Sequence, residues 1–221
     1  MKIDRIIRTK RRTISLIVEN DGTLTVRAPK RTPNVTIQGL VKAKEKWIIK
    51  KQNQVKASNA RYQQKKFIEG EQFLYLGKLF SLKIVDNGNE QLAFNGKFLI
   101  SKSAIRNAEG LFIDWYRQQA HSVILERVEK YSRKFNLKYK QVNITSAKKR
   151  WGSCSSNGSL NFPWRLVMAP IQIIDYVVVH ELAHLKEQNH SKKFWSEVEN
   201  MMPTYKHRRQ WLKENGDFLR L

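Results

Sequence analysis

The sequence predicts an α+β protein whose N-terminal half is rich in strands and whose C-terminal half is mostly helical, with one small antiparallel sheet. Three observations support this fold class. Short apolar segments separated by turn residues recur between residues 14 and 100, a pattern typical of strands. Segment 108–136 carries apolar residues at helical spacing. Segment 170–187 is strongly apolar, and its β-branched residues could suggest a strand, but it is too long for a typical strand and Pro170 fits a first helical turn. An Asn-Gly dipeptide at 157–158, followed by Leu160-Asn161-Phe162 as the returning strand, indicates a β-hairpin.

The N-terminal elements follow from these patterns. The pattern of residues 3–28 predicts a hairpin or meander, with a turn at 20–22. Residues 34–66 predict one long helix that is rich in lysine. Three short strands are predicted after it, at 73–76, 79–85 and 98–100, with turn residues at 86–89. The aromatic residues of these strands are expected in a core rather than on a base-stacking surface.

The C-terminal elements are two long helices around the hairpin and two shorter ones after it. A soft boundary near residue 104 divides the chain into a β-rich region with one basic helix, 1–104, and a helical core, 105–221. A chain of 221 residues can bury a core as one large domain or two small ones, so both regions can form one continuous unit.

Composition limits the classes of partner and compartment. The chain has 42 Lys+Arg against 19 Asp+Glu, a net charge of +23, which favours an acidic partner, with nucleic acid or a nucleotide ahead of a membrane. The alternative is that the charge only keeps the protein soluble. A single cysteine excludes an intrachain disulfide and a cysteine-rich zinc site. No apolar segment reaches membrane-spanning length, so we expect a cytoplasmic protein without a membrane partner.

The sequence His180-Glu181-Leu182-Ala183-His184 is an H-E-x-x-H motif. On a helix, residues four apart face the same way, so His180 and His184 can direct two imidazoles at one tetrahedral Zn²⁺. Glu181 lies where a zinc hydrolase keeps the carboxylate that accepts a proton from water. A coincidental match in an ordinary helix is the alternative, and the apolar segment before the motif argues against it.

A catalytic zinc site needs a third protein ligand, and His190 is the best candidate. A straight helix would place His190 roughly 120° away from the ligand face. We therefore expect the helix to stop at 188–189, where Asn189 tolerates a left-handed conformation. Ser191 would then begin the next helix, over residues 192–199.

The chain resembles a known family through five segments, Trp151 to Ser155, Leu160-Asn161, residues 174–184, Asn189-His190 and Phe194-Trp195. With these it is similar to the YgjP-like metal-dependent hydrolases, bacterial relatives of the SprT-like zinc metallopeptidases. The resemblance implies a zincin-like core that holds one Zn²⁺ per chain through His180, His184 and His190, with Glu181 as general base. It also implies a bacterial cytoplasmic protein.

The hairpin around 157–158 is expected beside the metal helix because of that resemblance. An edge strand there could pair with an extended peptide and hold its scissile carbonyl at the metal. Gly152, Ser153 and Cys154 are therefore candidate substrate-binding residues. The alternatives are a hairpin that only packs on the helix, and Cys154 as a nucleophile.

Zinc hydrolases also need a donor to the developing oxyanion. Tyr205, His207 and Arg208, at the start of a last helix through Glu214, are candidates by residue type, and surface residues are the alternative for each. The function predicted first is a zinc peptidase acting on a peptide or protein. Hydrolysis of nucleotides or other phosphoesters, and a protease associated with nucleic acid, are the alternatives that the basic charge favours.

Overall fold

The computed structural model describes residues 1–19, 21–61, 64–86 and 90–221, without the side chains of 57–61. Its strands are β1 Arg5–Thr9, β2 Ser15–Val18, β3 Leu24–Pro29, β4 Gln72–Tyr75, β5 Lys78–Val85, β6 Leu92–Phe94, β7 Phe98–Ser101, β8 Gln141–Thr145, β9 Ser153–Cys154 and β10 Ser159–Pro163. Its α-helices are α1 Asn34–Ala43, α2 Glu45–Arg61, α3 Ala108–Lys134, α4 Ile171–Ala183, α5 Lys192–Met201 and α6 Tyr205–Asn215. The α+β fold class is confirmed, with strands concentrated in the N-terminal half.

The chain divides into two compact units, residues 1–64 and 65–221. The division lies before strands β4 to β7, so those strands belong to the second unit. The domain boundary predicted near residue 104 stays a prediction. Among the described residues, no helix is both long and apolar enough to cross a membrane.

The first unit has a three-stranded sheet in the order β1-β3-β2. Alternate residues of the central strand, Leu24, Val26 and Ala28, are fully buried because successive side chains of a strand point to opposite faces. They share a core with Ile37 and Ile48 of the two helices. The hairpin prediction is correct for β2 and β3, which are antiparallel. It is wrong for β1, which pairs with β3 in parallel.

The helix predicted over 34–66 is interrupted at Lys44, which separates α1 from α2. The backbone N–H of Lys44 donates to the carbonyls of Leu40 and Val41 at 3.0 and 3.2 Å, and this tighter turn ends α1. Residues 62–63 of the predicted helix lie outside the described residues. So do Asn20 of the turn at 20–22 and residues 87–89 of the turn at 86–89.

The second unit begins with a four-stranded sheet in the order β4-β5-β7-β6. The three predicted strands of this region are confirmed, and β6, three residues long, is an addition that was too short to detect from its pattern. The expected aromatic core is confirmed for Phe73, whereas Tyr75 and Phe80 are only partly buried against it. Phe73, Phe98 and Phe112 are at most 1% exposed, with ring centroids of Phe73 and Phe112 4.2 Å apart.

Helix α3 packs against α4 and β8 and confirms the long helix predicted over 108–136. Its buried residues recur at nearly every fourth position and make one continuous stripe: Ala108, Phe112, Tyr116, Ala120, Ile124, Val128 and Ser132. Arg127 of α3 forms a bidentate ion pair with Asp175 of α4, with Nε–Oδ1 and Nη2–Oδ2 distances of 2.6 and 3.0 Å. This pair fixes α4, which carries the H-E-x-x-H motif, against the longest helix.

The small sheet of the second unit has the order β8-β10-β9. Strands β9 and β10 are antiparallel and joined by the predicted Asn157-Gly158 turn, where Gly158 has a φ of +81°. Strand β8 is parallel to β10, so the sheet is mixed and not wholly antiparallel as expected. The strand β9 is at the edge of the sheet and packs against α4.

Candidate metal centre

Helix α4 is buried over residues 173–179, which are apolar apart from Asp175, paired with Arg127. Its start is held by the β4–β5 turn, where the N–H groups of Leu76 and Gly77 donate to the carbonyls of Val167 and Met168 at 2.9 and 3.0 Å. Gly77 has a φ of +78°, and a Cβ at this position would lie 2.7 Å from Pro170. The motif therefore lies on a helix whose position is fixed from its first residue.

The helix ends at the motif's second histidine, earlier than predicted. His184 is the C-cap residue of α4, and the Gln188 side-chain amide donates to the His184 carbonyl at 2.9 Å. The stop predicted at 188–189 is wrong because this amide satisfies a terminal carbonyl, and Asn189 does not have a positive φ. The predicted restart is confirmed, since the Ser191 hydroxyl accepts from the N–H of Phe194 at 3.3 Å and caps α5.

The early stop brings the third histidine to the other two. One ring nitrogen from each of His180, His184 and His190 lies within 4.8 Å of the others. The Nε2 atoms of His180 and His190 are 3.0 Å apart. Two ligands of a tetrahedral zinc ion with Zn–N bonds of about 2.05 Å would be roughly 3.3 Å apart. The arrangement of the three nitrogens therefore fits a metal ion of this size.

Hydrogen bonding and burial prepare these nitrogens as ligands. The Nδ1 atom of His184 is 3.0 Å from the Glu187 carbonyl, so it carries the proton and leaves Nε2 as the unprotonated nitrogen. Burial, and then the neighbouring His184 and His190, lower the pKa of His180 to about 3. Burial and His184 also lower the pKa of His190. The rings of His180 and His190 are therefore neutral at pH 7, which is the state that binds metal.

Phe194 of α5 forms a wall behind all three rings. Its centroid lies 4.4 Å from that of His184, 4.9 Å from that of His180 and 4.7 Å from that of His190. Phe194 is fully buried, so it limits the rotation of the imidazoles and keeps water from their inner side. Three imidazoles suit zinc, and also iron, cobalt, nickel and copper.

Glu181 points from α4 toward the edge strand. It is 4% exposed, and Cys154 of β9 makes a backbone hydrogen bond to its carboxylate. Burial raises the pKa of Glu181 to about 8, against the opposing effects of Arg150 and of the Cys154 bond. Its Oε2 atom is buried without a hydrogen-bond partner among the described residues. The carboxyl group can thus hold or release a proton near neutral pH.

The predicted substrate-binding residues divide into two groups. Gly152, Ser153 and Cys154 lie in or beside β9, next to Glu181. Tyr205 is buried and stacks on Trp195 with centroids 5.5 Å apart.

The other two oxyanion candidates also lie on α6. His207 is exposed, and the guanidinium of Arg208 donates to the Thr204 hydroxyl. The roles of all six residues stay predictions.

Two arginines near the site were missed from the sequence. The guanidinium of Arg209 lies 4.5 Å above the Trp195 ring and lowers the pKa values of His180 and His190. Arg150 acts electrostatically on Glu181. Arg209 follows Tyr205 by four residues, so both lie on one helix face, and this spacing could have identified Arg209 as a further candidate. Arg150 had no such signal, because it lies in a loop.

A family model described as YgjP-like, metallopeptidase domain, matches residues 12–215. A search of curated proteins finds no match to the chain.

Two solved structures resemble part of the chain. One is the metallopeptidase zymogen abylysin of Pyrococcus abyssi, 26% identical, covering 41% of this chain and 93% of that one, with a TM-score of 0.37. The other is the metallopeptidase zymogen jannalysin of Methanocaldococcus jannaschii, 23% identical, covering 43% and 96%, with a TM-score of 0.37. TM-scores this low support no argument about fold or mechanism.

Proposed function

Because the chain belongs to the YgjP-like metallopeptidase family, we propose that it is a zinc peptidase in which His180, His184 and His190 hold the metal and Glu181 is the general base. Membership of this family makes it a metal-dependent hydrolase of peptides or proteins. The observation that carries the proposal is the convergence of three imidazole nitrogens within 4.8 Å on the helix that also carries a buried carboxyl group.

The metal would supply Lewis-acid polarisation of the substrate carbonyl and would lower the pKa of a water molecule to about 7. His184 supports this role by donating its Nδ1 proton to the Glu187 carbonyl, which keeps Nε2 unprotonated. His180 and His190 support it through their lowered pKa values. The protein's other contributions are proton transfer and substrate alignment.

Glu181 performs the proton transfer in this proposal. One of its carboxylate oxygens accepts a proton from the attacking water, and the same carboxyl group passes that proton to the leaving amine. Such a group must both bind and release a proton during one turnover. A pKa raised by burial to about 8 is close enough to neutrality to support both steps.

Strand β9 aligns the substrate. It is the edge strand of its sheet, with β10 on one side only, so its other edge can pair with an extended peptide. Gly152, at the start of β9, lies against the Glu181 carboxyl group. A peptide paired along this edge would therefore pass close to Glu181, with the backbone of Gly152 as its partner.

Arg209 is our candidate for the group that stabilises the developing oxyanion. Its guanidinium is held over Trp195, and the Trp195 ring is 5.7 Å from His180 and 5.8 Å from His190. An arginine held beside the metal ligands can donate to a negatively charged oxygen as charge develops. This position supports Arg209 ahead of Arg208, whose guanidinium is already bonded to Thr204.

Hydrolysis of a nucleotide or another phosphoester is the second candidate function. It is favoured by the net charge of +23 and by the location of Arg150 and Arg209 near the proposed base and ligands. Guanidinium groups stabilise charge on a phosphoryl group. Release of phosphate or pyrophosphate from a nucleotide panel, without peptide cleavage, would establish this function instead.

The deciding experiment measures zinc content and peptide cleavage on the same preparations. Wild type should contain about one zinc per chain and cleave members of a mixed peptide library. His184→Ala should lose both metal and activity. Glu181→Ala should keep the metal and lose the activity. A wild type that binds no zinc, or a fully active Glu181→Ala variant, would overturn the assignment.

A further inference from the structure

A small polar cavity lies beside the proposed catalytic site. Its volume is about 190 Å³, and its walls include Thr145 of β8, Asn161 of β10, Ser153 of β9 and the adjoining residues Arg150 and Gly152. This volume is below the ~300–1,000 Å³ of pockets that enclose a whole small-molecule ligand. The cavity therefore has the size of a subsite for one side chain or one chain terminus.

The cavity is adjacent to the reacting groups through Gly152. This residue lines the cavity, and a Cβ on it would lie 2.3 Å from Oε1 of Glu181. A substrate paired with the edge of β9 would place the residue next to the scissile bond at this point. The cavity can thus hold a substrate group next to the bond that is cut.

Hydrogen bonds within the sheet fix the polarity of one wall. The Asn143 amide donates to Oδ1 of Asn161 at 3.0 Å, which fixes the orientation of the Asn161 amide group. The Asn161 amide nitrogen then donates to the carbonyl and hydroxyl oxygens of Ser153, at 3.3 and 3.4 Å. Because the Ser153 hydroxyl accepts this bond, its own hydrogen is available as a donor to a ligand.

Arg150 gives the cavity its charge. Its side chain is exposed, and among the described residues it has no hydrogen-bond or ion-pair partner. None of the described residues that line the cavity carries a carboxylate, although Arg150 acts electrostatically on the neighbouring carboxyl group of Glu181. The guanidinium has five N–H donors and matches the two oxygens of a carboxylate. The cavity thus combines a positive charge with hydroxyl and guanidinium donors.

We propose that this cavity is a specificity subsite in which Arg150 and Ser153 bind a carboxylate of the substrate, next to the scissile bond. The carboxylate belongs either to an Asp or Glu side chain or to the C-terminus of the substrate. A lysine or arginine is excluded from the subsite by like charge. The inference rests on the proposed peptidase function, since it assigns the substrate preference of that site.

The test uses peptides that differ at one position beside the scissile bond. The residue there is Asp, Asn or Lys in peptides with an amidated C-terminus, and a further peptide ends at this position with a free carboxylate. The enzymes are wild type, Arg150→Gln and Lys148→Gln, all loaded with zinc. Lys148→Gln is the matched control, since it removes one positive charge from the same loop.

Wild type should cleave a carboxylate-bearing peptide roughly 10- to 100-fold faster than the Asn peptide in kcat/KM, the range of a charged hydrogen bond. Arg150→Gln should abolish this preference. Because Arg150 also lowers the pKa of Glu181, its loss changes the rate on every peptide, and the readout is therefore the ratio of kcat/KM between the carboxylate-bearing and Asn peptides. Lys148→Gln should keep it. Which of the two carboxylate peptides is preferred identifies the source of the carboxylate. An undiminished preference in Arg150→Gln, or an equal loss on all peptides, would overturn the inference.

A binding measurement separates this inference from the proposed function. Fluorescence anisotropy of the same labelled peptides, on Glu181→Gln with and without Arg150→Gln, reports binding without turnover. If wild type cleaves no peptide but Arg150 still determines carboxylate binding, the peptidase proposal fails and the subsite stands. If peptides are cleaved without a preference for a carboxylate and bind equally to both variants, the subsite fails and the peptidase stands.

Discussion

The backbone of Gly152 lies against the side chain of Glu181, so that a Cβ on Gly152 would be 2.3 Å from Oε1 and 2.6 Å from Cδ of the carboxyl group. A side chain at this position would displace the carboxyl group of the proposed general base. The contact also explains why the edge strand and helix α4 meet so closely at this point.

Gly152→Ala should displace the Glu181 carboxyl group and lower kcat by at least roughly 100-fold, with zinc content unchanged. Overpacking at this contact should cost about 1–3 kcal/mol of unfolding free energy. Peptide cleavage, zinc analysis and thermal unfolding measure the three quantities. Gly39→Ala is the matched control, since a Cβ there meets nothing within 4 Å. Equal activity of the two variants would disprove the steric role.

Zinc should raise the melting temperature of the wild type by several degrees, and a chelator should reverse this, because a ligand that binds only the native state stabilises it. His184→Ala and His190→Ala should show no such rise, since each removes one of three nitrogens that lie within 4.8 Å. His121→Ala, which changes an exposed histidine of α3, is the control that should respond like wild type. Calorimetry with and without zinc measures the effect, and a rise that persists in His190→Ala would remove that residue from the ligand set.

Asp175→Asn should destabilise the protein by roughly 2–4 kcal/mol. This is somewhat less than a fully buried pair would lose, because the Arg127 and Asp175 side chains keep 14% and 12% exposure. The pair joins α3 to α4, so its loss leaves the Arg127 charge without its bidentate partner. Urea unfolding measures the change. Glu129→Gln breaks the exposed pair with Arg133 and should cost at most about 0.5 kcal/mol. Similar costs for both variants would contradict the assignment of Asp175 as a support of α4.

Arg209→Gln should lower kcat at least roughly tenfold if its guanidinium stabilises the oxyanion, with zinc content and KM little changed. Arg208→Gln should stay within about twofold of wild type, since its side chain is bonded to Thr204 and not stacked beside the ligands. Steady-state kinetics of both variants provide the comparison. A larger loss of kcat in Arg208→Gln than in Arg209→Gln would instead support Arg208, the oxyanion donor predicted from the sequence.

Association with nucleic acid stays a prediction, and α2 is its best location. Lys46, Lys50 and Lys51 are exposed on this helix, together with Trp47 at 43% and Ile49 at 45% exposure. If the three lysines contact phosphates, replacing all three by Gln should reduce the slope of log K against log salt by about 0.9 per lost contact.

The control for that measurement replaces three exposed lysines of the second unit, Lys134, Lys138 and Lys140, and should leave the slope unchanged. Titration of labelled duplex DNA and RNA at several salt concentrations gives the slopes. A wild-type plot without a slope would exclude an electrostatic partner of this kind.

The fold class and most elements were accessible from the sequence because they depend on local patterns. Period-3.6 spacing located α3, segment length and Pro170 located α4, and short apolar segments between turn residues located β5. Asn157-Gly158 located the hairpin. The errors arose where local signals were weak or tertiary contacts decided. Strand β6 is only three residues long, and the parallel pairing of β1 with β3 depends on which strand edge is free.

The sequence likewise located the candidate site, since residue spacing places His180 and His184 on one helix face and singles out His190 and Glu181 as candidate partners. Only the tertiary structure decided which other groups join them. The end of α4 depends on an amide from Gln188, and the location of Arg150 and Arg209 depends on how a loop and α6 pack around α4. The physical reason is the distance along the chain between the interacting residues. Helix periodicity depends only on neighbouring residues in the sequence. The contact of Gly152 with Glu181 joins residues far apart in the sequence and forms only when the sheet packs on the helix.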